Sequence, residues 1–114
     1  MRTSLNLQSE VLAALTALSQ TTRLQAFCIL SASGDAGIGA GEIAKQLGTP
    51  HNTLSTHLAI LQRAGLISSI KKGRSVTYFV VPDSLGTMIS FFIHNGSAAV
   101  PQKSLLDQSR PTNF

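Results

Sequence analysis

A chain of 114 residues, 43% apolar, 12% charged and with a formal charge of +4, has room for one hydrophobic core and is not disordered. Its single cysteine, Cys28, excludes an intrachain disulfide and a CxxC motif. No apolar run reaches the roughly eighteen residues of a membrane helix, and no basic region followed by an apolar core opens the chain, so the expected location is the cytoplasm, with no membrane partner.

In chain order, Leu7, Val11, Leu12, Leu15 and Leu18 fall at helical spacing and predict a first helix over 7–19. Thr21 or Thr22 is suited to cap a second helix with Leu24, Phe27, Cys28 and Leu30 inward, ended by Gly34. Cys28 is thereby expected to be a packed core residue. The stretch SGDAGIGAG (33–41) reads as a glycine-rich loop, and lacks the Gly-Lys-Ser/Thr of a phosphate loop. A short helix follows over 41–47, with Ile43, Ala44 and Leu47 inward and Gly48 as its stop.

Thr49 is then placed to cap a fourth helix, with Pro50 at the first helical position, where a missing N–H costs nothing. Leu54, Leu58 and Leu61 form its buried stripe and Gly65 closes it. Residues 66–70 and 76–81 are rich in β-branched and aromatic side chains, and Lys71-Lys72-Gly73-Arg74-Ser75 lies between them, which predicts a hairpin with a basic tip. Pro82 breaks the strand, and Asp83 or Ser84 caps a last helix carrying Leu85, Met88, Ile89, Phe92 and Ile93 at i, i+3, i+4, i+7, i+8.

The expected fold is mainly α with a small β-hairpin, in the order α-α-α-α-β-β-α: a winged helix-turn-helix over 1–96, followed by a flexible tail over 97–114. So much apolar material on so few charges predicts a homodimer, with Val11, Leu15, Leu85, Met88, Ile89 and Phe92 at the contact.

Charge placement says more than its total. From Ile43 to Pro82 there is no Asp or Glu, while Lys45, Arg63, Lys71, Lys72 and Arg74 fall in the same forty residues. That segregation is the footprint of a polyanion-binding surface. The outer face of the fourth helix carries His51, Asn52, Thr53, Ser55 and Thr56, short hydrogen-bonding groups that suit base edges and phosphates. With His57, Arg63 and the tip cations Lys71, Lys72 and Arg74, these are the expected DNA contacts. Asn52 also reads as a local cap, and His57, beside Leu54 and Leu58, as a half-buried ring bonded to backbone. An enzyme is not expected, because His, Cys and acids are scattered with no pair at useful spacing on one face.

The stretches ALSQTTRLQAFCIL (17–30), EIAKQLGTPHNTLSTHLAILQRAGLI (42–67) and KKGRSVTYFV (71–80) together resemble the ArsR/SmtB family of bacterial repressors, over about residues 10–95. The resemblance implies a homodimeric winged-helix repressor that leaves its operator when an inducer binds. It places the helix at 50–64 in the major groove and the 71–75 wing on backbone or minor groove. The arsenic-responsive branch is the nearest, yet Gly96 and Ser97 in FFIHNGSAAVP (91–101) stand where its vicinal cysteines would be, and no thiol lies near Lys103 or Ser104.

The Cys-x-Cys of other members falls on Gly39 and Gly41. A further family site, of Asp and His on the last helix, keeps Asp83 and His94 but has Leu85 in place of a His. No metal and no cofactor is therefore expected, and the expected inducer is not a thiol-bound metalloid; the alternatives are a small organic molecule in a pocket between the first and last helices, an oxidant, or no inducer at all. The missing ligands beside an intact dimer stripe leave a second reading, an interaction-type winged helix that forms mixed dimers with a thiol-bearing relative.

Overall fold

A helix, a short joint and a second helix begin the chain: α1 spans Ser4–Leu18 and α2 spans Thr21–Ser33. The computed structural model describes residues 4–99, with side chains described from 6 to 95. A single 3-10 turn over Gly34–Ala36 leads into a two-residue strand, β1 (Ile38–Gly39), then α3 (Ala40–Leu47) and α4 (His51–Arg63). The hairpin strands β2 (Ile67–Lys72) and β3 (Ser75–Val80) follow, and α5 runs over Pro82–Ala99. The fold is mainly helical with a small antiparallel sheet, as the sequence led one to expect, but the sheet has three strands, in the order β1-β3-β2.

The third strand comes from the glycine-rich loop. Ile38 pairs with Tyr78 and Gly39 with Thr77, so β3 is the central strand rather than an edge. Gly37 makes the approach possible. Its φ is +70°, and a Cβ there would lie 2.5 Å from the Phe79 ring and 2.6 Å from the Tyr78 carbonyl oxygen. Only a residue without a side chain passes that close.

The core sits where the helices meet the root of the sheet. Leu30 of α2, Ile43 of α3, Leu54, Leu58 and Leu61 of α4, and Leu66 and Ile67 at the start of the hairpin are fully buried. Val11, Ala14 and Ala17 of α1 and Met88 of α5 close it from the other side.

Several local expectations need correction. Cys28 is exposed, not packed. α2 turns Ala26, Phe27 and Leu30 inward, and at about 100° per residue this sends Leu24 and Cys28 to the outside and brings Arg23, one turn before Phe27, to the inner side. The cap of α2 is Gln20, whose Oε1 accepts the Arg23 N–H at 2.9 Å; Thr22 Oγ1 instead accepts from Gln20 Nε2 at 3.4 Å. Thr49 does not cap α4. The boundary falls on Pro50, which has no side-chain acceptor, and the Thr49 hydroxyl donates backward to the Leu47 carbonyl at 3.4 Å.

α5 begins at Pro82, ahead of the expected Asp83 or Ser84 cap. It continues through Ala99, past the expected boundary at 96. The rest of the expected tail, 100–114, lies outside the described residues.

Two glycine substitutions separate close packing from backbone strain. Gly34 also has positive φ, +59°, but faces open space. In urea unfolding, Gly37→Ala is expected to cost about 2–4 kcal/mol, because strain and overlap with β3 add, and Gly34→Ala about 1 kcal/mol from strain alone. Equal losses at the two positions would contradict the close approach of Gly37 to β3.

Candidate nucleic-acid interface

The turn between α3 and α4 is set by its own residues. Gly48 adopts the left-handed conformation (φ 62°, ψ 30°). Its N–H donates to the Lys45 carbonyl at 3.3 Å and the Thr49 N–H to the Ala44 carbonyl at 3.1 Å, the paired bonds of a Schellman ending. Pro50, extended at φ −57° and ψ 142°, then redirects the chain, and the Leu54 N–H closes the first turn of α4 on the Pro50 carbonyl at 2.9 Å. Burial of Leu54, Leu58 and Leu61 fixes the rotation of α4 about its axis. His51, Asn52, Thr53, Ser55 and Thr56 consequently face outward and are exposed.

These outward groups hold local hydrogen bonds. Ser55 Oγ donates to the His51 carbonyl at 3.0 Å and Thr56 Oγ1 to the Asn52 carbonyl at 3.5 Å. Asn52 Oδ1 accepts the Thr53 N–H at 2.9 Å, which leaves its amide NH₂ to donate outward. Asn52 thus makes a local bond and still presents donors. Each hydroxyl keeps lone pairs to accept and can rotate its proton to a new partner.

The basic tip stands beside this face. β2 continues through Lys72, with Lys71 opposite Val76 and Lys72 opposite Ser75, so the turn itself is only Gly73 and Arg74. Gly73 has φ +60° and no non-glycine residue among those described has positive φ, the pattern of a type II′ hairpin turn. Lys71, Lys72 and Arg74 are exposed, as are Lys45 and Arg63. Arg74, Ser75, Val76 and Tyr78 of the hairpin share a cleft of about 290 Å³ with His51 and Ser55 of α4 and with the glycines at the start of α3. At the hairpin base, Ser69 Oγ donates to Gln62 Oε1 of α4 at 3.4 Å. The neutral helix face and the cationic loop therefore lie side by side along one cleft.

His57 is placed differently from the rest. It is half-buried, and its Nδ1 lies 3.2 Å from Arg23 Nη1, a side chain rather than the backbone partner considered from sequence. Arg23 thus touches the flank of α4, and nothing in its local sequence marks it. The expected dimer residues divide into two groups. Leu15, Leu85, Ile89 and Phe92 are exposed, whereas Val11 and Met88 are buried within the protomer. Leu12 and Ile93, 55% exposed each, extend the apolar surface of α1 and α5. Among the described residues, no three His, Cys, Asp or Glu side chains converge, and no helix is long and apolar enough to cross a membrane.

A family model described as a helix-turn-helix domain matches residues 9–70. The transcriptional activator HlyU of Vibrio cholerae is 33% identical over 75 residues, covering 66% of this chain and 67% of HlyU. An ArsR-like transcriptional regulator from Rhodococcus sp. RHA1 has a similar structure, with a TM-score of 0.73 at 24% identity over 93% of this chain and 97% of that one. The homodimeric winged helix-turn-helix DNA-binding domain Mb0332 of Mycobacterium bovis superposes with a TM-score of 0.62 at 22% identity, over 94% of this chain and 91% of that one.

Proposed function

This chain belongs to the ArsR family of winged helix-turn-helix transcriptional regulators, and from that premise we propose that it is a cytoplasmic repressor that binds a palindromic operator as a homodimer. The observation that carries the reading is the cleft where His51 and Ser55 of α4 meet Arg74 and Ser75 of the wing, within a segment free of acids.

α4 enters the major groove. The Asn52 amide, His51 and Thr53 reach base edges near its N-terminus, and Ser55 and Thr56 exchange their local bonds for bases or phosphates. Arg63, Lys71, Lys72 and Arg74 take phosphates or the minor groove, and His57, on the half-buried flank of α4, bonds Arg23 of α2 instead. One such helix reads too few base pairs to choose a site. Pairing through Leu12, Leu15, Leu85, Ile89, Phe92 and Ile93 presents two of them to half-sites about one helical turn apart. Occupancy of the promoter by the dimer blocks transcription.

The inducer is not a thiol-bound metalloid, since a trivalent arsenic ion needs two or three soft ligands close together and each protomer has only Cys28, with no second thiol beside it in the chain. A cleft of about 240 Å³ between α1, α5 and the turn after α4, lined by Glu10, Val11, Asp83, Thr87 and Met88 among others, offers a seat for a small organic molecule.

DNA binding is tested with a duplex selected from a randomised library against its scrambled version. Alanine at Lys71, Lys72 and Arg74 together is expected to weaken both duplexes and to lower the log–log salt slope by about 2–3 per protomer, or about 5 for the dimer, while the dimer persists. Asn52→Ala is expected to weaken the selected duplex by roughly five- to a hundredfold per half-site and the scrambled one by less than about twofold. Equal affinity for both duplexes, without loss in salt, would sink the repressor reading, and an inert triple variant would favour the interaction role. Release from DNA by stoichiometric arsenite would overturn the assignment of the inducer.

The dimer is tested separately. Ile89, 49% exposed, and Phe92, 52% exposed, lie one turn apart on α5. Phe92→Asp is expected to give a folded monomer in sedimentation equilibrium that no longer retains the selected duplex. A variant that remains dimeric would move the interface elsewhere.

A further inference from the structure

The Arg23 side chain bonds to both α1 and α4. It projects from the first turn of α2 on the inner side, half-buried. Its Nε donates to the Ala17 carbonyl in the last turn of α1 at 2.6 Å. Its Nη1 donates to Nδ1 of His57, in the middle of α4, at 3.2 Å. Its own position is fixed in turn, because its backbone N–H is held by Gln20 Oε1 at 2.9 Å. We infer that Arg23 is a positioning residue, a fork that locks the reading helix to the α1–α2 corner through His57. The inference rests on the reading of α4 as the DNA-contacting helix.

The chemistry of the two groups makes the link directional. A guanidinium has only donors, so His57 Nδ1 must be the acceptor and the ring proton sits on Nε2. The bonded pair therefore selects one tautomer and one ring orientation at the centre of α4. Leucine packing alone fixes how α4 rolls about its axis, but apolar contacts tolerate sliding along the helix. A charge-assisted bond from a planar fork does not. Base readout depends on that translation, because donors and acceptors on base edges must be met to within a fraction of an ångström. Phosphate attraction does not depend on it. Since α1 also carries exposed Leu12 and Leu15, the same fork ties the apolar outer surface of the protomer to its reading surface.

The selected and scrambled duplexes described above test this, together with the thermal midpoint and the ¹⁵N spectrum of the His57 ring. Arg23→Lys keeps the charge but has no fork. It is expected to weaken the selected duplex by about tenfold, the scrambled one by less than about twofold, and to release His57 into mixed tautomers. His57→Leu is expected to give the same loss, and the double variant no more than either single change, because both break one unit. His57→Asn, which retains an acceptor near the Nδ1 position, recovers most of what His57→Leu loses.

Losses that add in the double variant, or that strike both duplexes in step with a falling thermal midpoint, overturn the positioning role. So does a ring that holds the Nε2–H tautomer in Arg23→Lys. A native chain that distinguishes no duplex overturns the reading of α4 and the fork's purpose with it. A native chain that discriminates while Arg23→Lys discriminates equally well overturns the fork alone.

Discussion

The complete burial of Leu54, Leu58 and Leu61 constrains everything else in this molecule. These three side chains bring α4 into the centre of the protomer, where it meets α2, α3 and the root of the hairpin. Each removes about 1.5–3 kcal/mol worth of apolar surface from water. Once they are inside, the opposite face of a thirteen-residue helix has no choice but to face out. The functional surface is thus the geometric complement of the core: the leucines set which face of α4 looks out, and the Arg23–His57 bond, from the inner flank, bears on where α4 lies along its axis. The polar face contributes little to holding itself in place.

That dependence explains a division of labour between the helix and the wing. The outward groups of α4 are mostly neutral and short, and they bond to their own helix when nothing else is present. They lose little by exchanging partners, so the interaction they offer is sensitive to geometry rather than to charge. The wing has the reverse character. Its cations stand on a paired ribbon whose tip narrows to Gly73 and Arg74, exposed to solvent and effective over a Debye length. One element attracts polyanions in general, and the other can tell them apart. Their meeting along a common cleft is what joins the two properties on one surface.

Much of this was legible in the sequence where local chemistry decides the structure. Gly48 and Pro50 mark the turn between α3 and α4 because a left-handed residue and a fixed φ leave few alternatives, and the leucine spacing reveals the inner face. The basic hairpin is equally plain, as Gly73 sits between two β-branched runs.

Where several weak signals compete, sequence and structure part. α2 has apolar residues on two sides, and small Ala26 rather than Leu24 or Cys28 completes its buried face. Phe27 and Leu30 alone do not reveal which flank is inside. The same ambiguity hid Arg23, since a cation on a mixed face looks like a solvated one until its partners, Ala17 and His57, are brought near by the fold. Val11 and Met88 look from the sequence like members of the outer stripe because α1 and α5 each bear two apolar faces. β1 left no trace at all. Two residues, Ile38 and Gly39, carry no periodicity, and their pairing is decided entirely by β3.

The way β1 joins the sheet also orders the events of folding. β2 and β3 are connected by a two-residue turn and can close on each other within microseconds. Ile38 and Tyr78 are forty positions apart, so their pairing must wait for the intervening chain to collapse around the leucines of α4. A two-residue strand returns few hydrogen bonds for that closure entropy. The ribbon is thus held by local pairing and β1 by a distant one, so the two halves of the sheet differ in how much chain must be ordered to make them.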